Sequence, residues 1–438
     1  MAENKIGVGV ATAVGLGAII GAGIFVLSGT AIALAGSYAL VSFVIVGLLA
    51  MIVALELGEL GSIMPYTKGG VYSYTYEAFG SELGFITGIL RYFSLATAIS
   101  AIALGFGAYL SSLFNFSQTY SIPFAIVLIF VLSLVNIKGI KKAARMDFWL
   151  VAIKLGILTI FIIAAVLFAM HFNTFNASNF TATTQQTGLA AIFAASIAVF
   201  FAYSGFQTIS TFTSKIKGEA IGAAKAIIFS VVISMVFYVL VVVALMLMMP
   251  AGKFTINADP LAAALNYVHA PYSLQVLIDI GALIATTSAT LAMILASSRT
   301  VYQISENKLL PKILRKYNKK SDVAINGVIL SAVIGVVMLF SGNIYIIAAI
   351  SNFGILFSYL IISFAVIHFR RIKTKAPFKM PGFPYLSVIA IVMLFIFIMS
   401  LPGEALDIGV VMLILLIVIY YFFRELKGKK VIRIELFK

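Results

Sequence analysis

Two stretches of this 438-residue chain place glycine where an apolar helix would otherwise run unbroken. The first reads AVGLGAIIGAGIFVLSG, with Gly15, Gly17, Gly21 and Gly23 close together. The second reads FFAYSGFQTIS, with Ser204 and Gly205 at its middle. Glycine costs a helix interior about 1 kcal/mol relative to alanine. It therefore marks unwound backbone or a close helix approach, and Gly17 with Gly21 also fits the close-packing spacing. An unwound turn exposes N–H groups at a positive helix end, which suit a carboxylate, and carbonyls, which suit an ammonium or a cation. Two such turns face to face can hold a zwitterion without one charged side chain.

A third feature is Lys154, alone in WLVAIKLGILTIF. An ionisable group at membrane depth costs on the order of 3 kcal/mol, so each is a functional candidate. Position alone favours a lysine whose stem carries its ammonium back to the surface. Glu59, Arg91 and Arg299 form a second set, suited to gate or structural ion pairs. Asp279 either faces a vestibule or pairs with a polar neighbour.

The elements that must position these residues follow from composition. Hydrophobic residues make up 62% of the chain and charged residues 10%, against about 45–50% and about 25% in soluble domains. So little charge cannot clothe a surface in water, and the solvent must be lipid. Windows of about 20 apolar residues fall near 7–35, 38–63, 83–114, 122–137, 147–170 and 187–213. Six more fall near 221–250, 272–303, 324–341, 344–369, 384–401 and 406–423, giving twelve spans. The expected fold is an all-α integral membrane protein. The MAENK start is followed by no cleavage site of small residues, so the first span is expected to stay.

The 30 Lys and Arg residues exceed the 15 Asp and Glu by fifteen, a balance that would suggest nucleic acid on a soluble protein. Here alternate connections carry almost all of them: Lys5, Lys68, Lys138 to Arg145, Lys215 and Lys217, Lys308 to Lys320, Arg370 to Lys379, and the tail from Arg424. The other connections hold only Lys253. Cationic loops resist translocation, so this pattern predicts a plasma-membrane protein with both termini cytoplasmic, facing anionic lipid and no nucleic acid. Cysteine is absent, and His171, His269 and His368 are scattered, so no metal site is expected. Neither a nucleotide loop nor paired catalytic carboxylates appear, which argues against an enzyme. A channel is the alternative, but no filter-like repeat or charged ring is visible.

The broken spans are the first and the sixth, five apart, as in transporters whose two halves are inverted repeats. Three segments strengthen that likeness: GAIIGAGIFVLSG (17–29), ELGSIMPYTKGGVYSYTYEAFG (59–80) and GALIATTSATLAMILASSRTVYQISENKLLP (281–311). With FFAYSGF they resemble the amino acid–polyamine–organocation superfamily over roughly residues 6–370. The chain departs from that family after the sixth span, where Lys215 stands in place of an acid and the usual Asn-Pro is missing.

The resemblance implies a ten-helix core over 1–370, with inverted repeats at about 6–171 and 187–370, and two peripheral helices with a basic tail over 371–438. It implies an amino acid carrier working by alternating access. The substrate carboxylate would lie at Gly21, Ala22 and Gly23, and its ammonium at carbonyls of Ile19, Phe201, Ala202 and Ser204 beside Gly205. Phe201 would be an aromatic gate. Lys154 would couple transport to the proton gradient from a cation site near Gly17 and Ile20, with Thr287 and Ser288. A sodium ion at those hydroxyls, or obligate exchange, stays open. No cofactor is implied. The absence of an acid in either break favours neutral amino acids over polyamines and basic ones.

Overall fold

The computed structural model describes residues 5–65, 70–138, 143–171, 177–180, 188–318 and 323–425. Lys68, Gly69, Lys141, Lys142, Lys319, Lys320 and the tail beyond 425 lie outside the described residues, as do the side chains of Arg145, Lys215 and Arg424.

With no water in the bilayer core, each spanning segment must satisfy its own backbone, and helices do so. The first half of the chain contains α1 (Val8–Ile19), α2 (Ala22–Ala35), α3 (Tyr38–Ile63), α4 (Val71–Phe79), α5 (Ser81–Leu113), α6 (Ser121–Lys138) and α7 (Ala143–His171). The second contains α8 (Gly188–Tyr203), α9 (Glu219–Met248), α10 (Pro260–Tyr267), α11 (Tyr272–Glu306), α12 (Ile325–Met338), α13 (Ile344–Arg371), α14 (Tyr385–Met399) and α15 (Gly403–Glu425). Among the described residues nine single helices are long and apolar enough to cross a membrane. The pair α1–α2 makes a tenth, bent by 49°, and α12 and α14 of the twelve expected spans are apolar but shorter than that length. A 14-residue helix rises only about 21 Å, which leaves α12 short of the hydrocarbon thickness.

Two short helices were not anticipated. The α4 and α10 helices, of 9 and 8 residues, lie in connections and fall below any 20-residue apolar window. A two-stranded antiparallel ribbon, β1 (Tyr317–Asn318) with β2 (Val323–Ala324), also lies in a connection.

The long helix α5 runs through the middle and packs against α11, α13, α6 and α4. Outer helices show lipid a broad apolar face, as at Val127, Phe130 and Val131 of α6 and Ile414, Val418 and Phe422 of α15. Between α2 and α3 the chain reverses at Gly36, whose φ of +56° suits a residue without Cβ.

The lysine-rich ends of the two broken spans are tied together. Ile6 forms a parallel bridge with Ile216, and the Lys217 N–H donates to the Ile6 carbonyl at 2.8 Å. Lys5 pairs with Glu219 at 2.5 Å. An acid therefore does stand at this face, four residues after the position of Lys215.

Candidate functional site

The first break is a two-residue interruption between stretches of α-helix. Ile20 (φ −76°, ψ 67°) and Gly21 (φ −102°, ψ −141°) separate α1 from α2. The Ile20 N–H still donates to Leu16, and the Gly21 N–H folds back onto the Ile19 carbonyl, both at 2.7 Å. The first N–H groups of α2, at Ala22 and Gly23, have no carbonyl one turn earlier to bond. Gly21 provides no side-chain cap for them. They form an anion-binding end.

The second break is different. The α8 helix stops at Tyr203, where the Ser204 N–H and hydroxyl both donate to the Phe201 carbonyl, at 3.1 and 2.7 Å. Gly205 has φ +131°, which L-residues with a side chain rarely adopt. Its N–H donates to the Gln207 side-chain oxygen at 3.0 Å, and the Tyr359 hydroxyl donates to that same oxygen at 2.7 Å. The chain then continues as a 3₁₀ segment, Phe206–Lys215.

These breaks touch. A Cβ on Gly23 would collide with the Ala202 backbone, and one on Gly205 with the Ala18 carbonyl. Gly21 faces Ala289 of α11 closely, and a Cβ there would sit 3.2 Å from the Ala289 Cβ, so the neighbour would have to give. The Tyr238 hydroxyl, on fully buried α9 backbone, lies 2.8 Å from the Ile19 carbonyl oxygen and 2.9 Å from that of Ala202. Its single proton serves one of them at a time. These are two of the four carbonyls that the family resemblance implies for an ammonium, so Tyr238 competes for acceptors that a cation would use. The tyrosine is anchored by an edge-on Tyr203 ring at 5.0 Å, whose own hydroxyl donates to Phe43 at 3.0 Å. Phe201 is buried beside the break.

Lys154 lies on the inward stripe of α7, with Val151, Leu158, Phe161 and Ala165. Val151 seats on Gly17 of α1 and Ile157 on Gly281 of α11, so the stripe fills the seam between those helices. Lys154 is 2% exposed, and its Nζ is 3.4 Å from the Gly17 carbonyl oxygen. The surface-reaching lysine expected from position alone is not what the structure shows: helical spacing turns this residue to the protein and not to lipid. Thr287 and Ser288 lie on the facing α11, half-buried. The Ser288 hydroxyl donates to Ala285 at 3.0 Å and that of Thr286 to Ala282 at 2.7 Å, each within its own helix.

The second set of charges separates. Glu59 takes a two-pronged bond from Arg370, at 2.5 and 2.8 Å, and the Met380 N–H at 2.8 Å. Arg91 instead lies over the Tyr359 ring, 5.4 Å from its centroid. Arg91 thereby reaches Gly205 through Tyr359 and Gln207. Glu56, one turn before Glu59, was missed: it is fully buried and accepts a 2.6 Å bond from Ser363.

Asp279 lines a polar cavity of about 290 Å³ with Asp259, Ser111 and Gln118. None of the break residues lines it. Burial pushes the Asp259 carboxyl up to about 6, against the opposing bond from Gln118 at 3.0 Å. Among the described residues no three His, Cys, Asp or Glu side chains gather as a metal site.

The amino acid permease family matches residues 6–423. The methylthioribose transporter of Bacillus subtilis is 28% identical, over 90% of this chain and 87% of its own. A branched-chain amino acid permease of the same organism is 28% identical, over 89% and 86%. Its gamma-aminobutyric acid permease is 26% identical, over 91% and 89%. The chain belongs to the amino acid permease family, within the superfamily its motifs resemble, and is a multi-pass membrane transporter with no enzyme relatives among these.

Proposed function

We propose that this member of the amino acid permease family carries neutral amino acids across the cell membrane by alternating access, coupled to protons through Lys154. The observation that carries the reading is the meeting of two helix breaks inside the apolar core. They bring the first N–H groups of α2, at Ala22 and Gly23, against the carbonyls of Ile19 and Ala202, which share the single proton of the Tyr238 hydroxyl, so that one carbonyl at a time is open to an ammonium. That arrangement suits both ends of a zwitterion, and neither break contains a charged residue. Two of the relatives are named for amino acids, which supports the same class.

Alternating access needs one face closed while the other opens. The ties between Ile6 and Ile216 and between Lys5 and Glu219 close the lysine-rich ends of the broken spans. The cavity at Asp259 and Asp279 lies at the C-terminal end of α5 and the N-terminal end of α11, on the opposite face. We take the lysine-rich face as cytoplasmic, with both termini there, and the two five-span halves as inverted repeats.

Lys154 sits near the Gly17 carbonyl of α1, on the stripe of α7 that meets α11 through Ile157. A buried ammonium there bridges helices as a cation, and loss of its proton removes the bridge. In proteoliposomes an imposed proton gradient is expected to stimulate wild-type uptake. Lys154→Ala should lose that stimulation by tenfold or more while retaining exchange. Full gradient dependence in Lys154→Ala overturns the coupling role. The substrate class is tested on purified protein with the twenty amino acids. A ligand at 100 times its Kd raises stability by about 2.7 kcal/mol, and no stabilisation by any neutral amino acid overturns the class.

A further inference from the structure

We infer that Glu56 is a second proton-binding site, separate from Lys154, which keeps its proton while the seam between α3, α13 and α14 is closed and gives it up when that seam opens. The inference builds on the proposed carrier but not on its amino acid site. Glu56 lies in α3, seven residues before the helix ends at Ile63, or about 10 Å along its axis. Its carboxyl is fully buried where α3 meets α13 and α14.

Glu59, one turn on, shows what an ionised carboxylate needs in this setting. It takes two bonds from Arg370 and a third from the Met380 N–H. Glu56 has no ion pair among the described residues. Its partners are hydroxyls, Ser363 of α13 at 2.6 Å and Ser387 of α14, both fully buried. One carboxyl oxygen, Oε1, has no hydrogen-bond partner. The elements packed against α3 bring no counter-ion. Arg370 is committed to Glu59, His368 lies against the Phe79 ring, and Arg371 and Lys379 are exposed. Helices α2, α8 and α14 contain no charged residue. On α9, Glu219 pairs with Lys5 and Lys225 is exposed, while the side chain of Lys215 lies outside the described residues. A buried charge without a counter-ion costs far more than a buried neutral polar group, so the closed seam keeps the proton on Glu56.

The Ser363 hydroxyl links that proton to α13. Its oxygen lies 2.6 Å from Glu56 Oε2 and 3.3 Å from the Tyr359 carbonyl oxygen, and it has one proton to give. Once the carboxyl is protonated, either oxygen of the 2.6 Å pair can be the donor. A protonated Glu56 donates to Ser363, which then donates to Tyr359. An ionised Glu56 draws the Ser363 proton to itself, and the Tyr359 carbonyl loses that bond. Tyr359 is also the residue whose hydroxyl holds Gln207 and, through it, the Gly205 turn. The two proton sites therefore address different breaks. Lys154 reaches the first span at Gly17, and Glu56 reaches the second break through α13.

Purified full-length protein in nanodiscs is compared with Glu56→Gln, which keeps the shape of the neutral acid, by infrared difference spectroscopy at neutral pH. Wild type is expected to show a protonated-carboxyl band that the variant lacks. Ser363→Ala, a second variant should Glu56→Gln fail to fold, is expected to shift that band without removing it. Opening of the seam is read by deuterium uptake of residues 359–366 and 380–387 as the pH is raised. At alkaline pH this uptake should be tenfold or more faster in wild type than in Glu56→Gln, and alike in the two at neutral pH. Comparing the two at each pH removes the direct effect of base on amide exchange. Lys154→Ala is expected to keep both signals. The inference is overturned if wild type and Glu56→Gln share one protonated-carboxyl spectrum, if their seams exchange alike at alkaline pH, or if Lys154→Ala abolishes both signals. Neither readout uses substrate or a gradient, so a failure here is separate from a failure of the proposed carrier.

Discussion

The two breaks do the same thing with different means. In the first span, helix resumes as α-helix after two residues, and the glycines around the gap are places where neighbours press in. Val151 seats on Gly17 and Ala202 on Gly23. In the sixth span the α-helix does not resume. Gly205 takes a positive φ, and side chains from elsewhere, Gln207 and Tyr359, hold the turn before the 3₁₀ segment. Both breaks are packed closely and share the Tyr238 hydroxyl, but only the second has a side-chain scaffold at its turn, from Gln207 and Tyr359. The turn at Gly205 is therefore held by two side-chain bonds that the turn at Ile20 and Gly21 lacks.

The largest expected effect lies where both demands meet. Gly205→Ala imposes a positive φ on a residue with Cβ, costing about 1–2 kcal/mol, and drives that Cβ into the Ala18 carbonyl, with overpacking adding about 1–3 kcal/mol. Gly23→Ala suffers only the second cost, against Ala202. Melting temperature and uptake in proteoliposomes should both fall further for Gly205→Ala. Equal losses would mean that the conformational demand at the second break is not real, and the contrast between the breaks would collapse.

How far these features were legible depends on range. The glycines of the first break, the Ser204-Gly205 pair and the isolated Lys154 stand out because each violates its local apolar text. The nine or ten long apolar helices follow from the same text, since lipid leaves the backbone few options. The polar scaffold is invisible there, because its bonds join residues far apart. Tyr238 reaches Ile19 across 219 positions, Tyr359 reaches Gln207 across 152, and Arg370 reaches Glu59 across 311. Each is a tyrosine or arginine with an unremarkable neighbourhood. The α4 and α10 helices were hidden because they are short and carry no 20-residue apolar run. The polar cavity at Asp259 and Asp279 was hidden because four separate segments wall it, and only Asp279 was suspected of facing such a space.

A middle-sized effect tests the scaffold. Tyr238 serves carbonyls of both breaks, whereas Tyr359 serves only the second, through Gln207. Removing one buried hydroxyl bond costs about 1 kcal/mol, and more where a carbonyl is left unsatisfied. Tyr238→Phe can strand acceptors on both α1 and α8, so it should lower stability more than Tyr359→Phe. If Tyr359→Phe is the more damaging in a melting experiment, the second break governs the pair and the bridge through Tyr238 is incidental.

The smallest effect concerns a glycine of α1 that does not belong to the break. A Cβ on Gly9 would meet nothing within 4 Å, whereas one on Gly15 would run into Ser230 and Ile209. Gly9 lies in the first turn of α1 with ordinary helical backbone. Replacing it with alanine removes conformational freedom from the unfolded chain and should stabilise α1 by about 0.5–1 kcal/mol. The packing account of the first break requires that gain to leave transport nearly unchanged, because the hinge is at Ile20 and Gly21 and not along α1. A melting temperature raised by Gly9→Ala with uptake intact, set beside the losses at Gly15→Ala, would confine the break to the glycines that neighbours touch. Uptake lost at Gly9→Ala, with the protein still folded, would instead spread flexibility over the whole of α1 and remove the difference in kind between the two breaks.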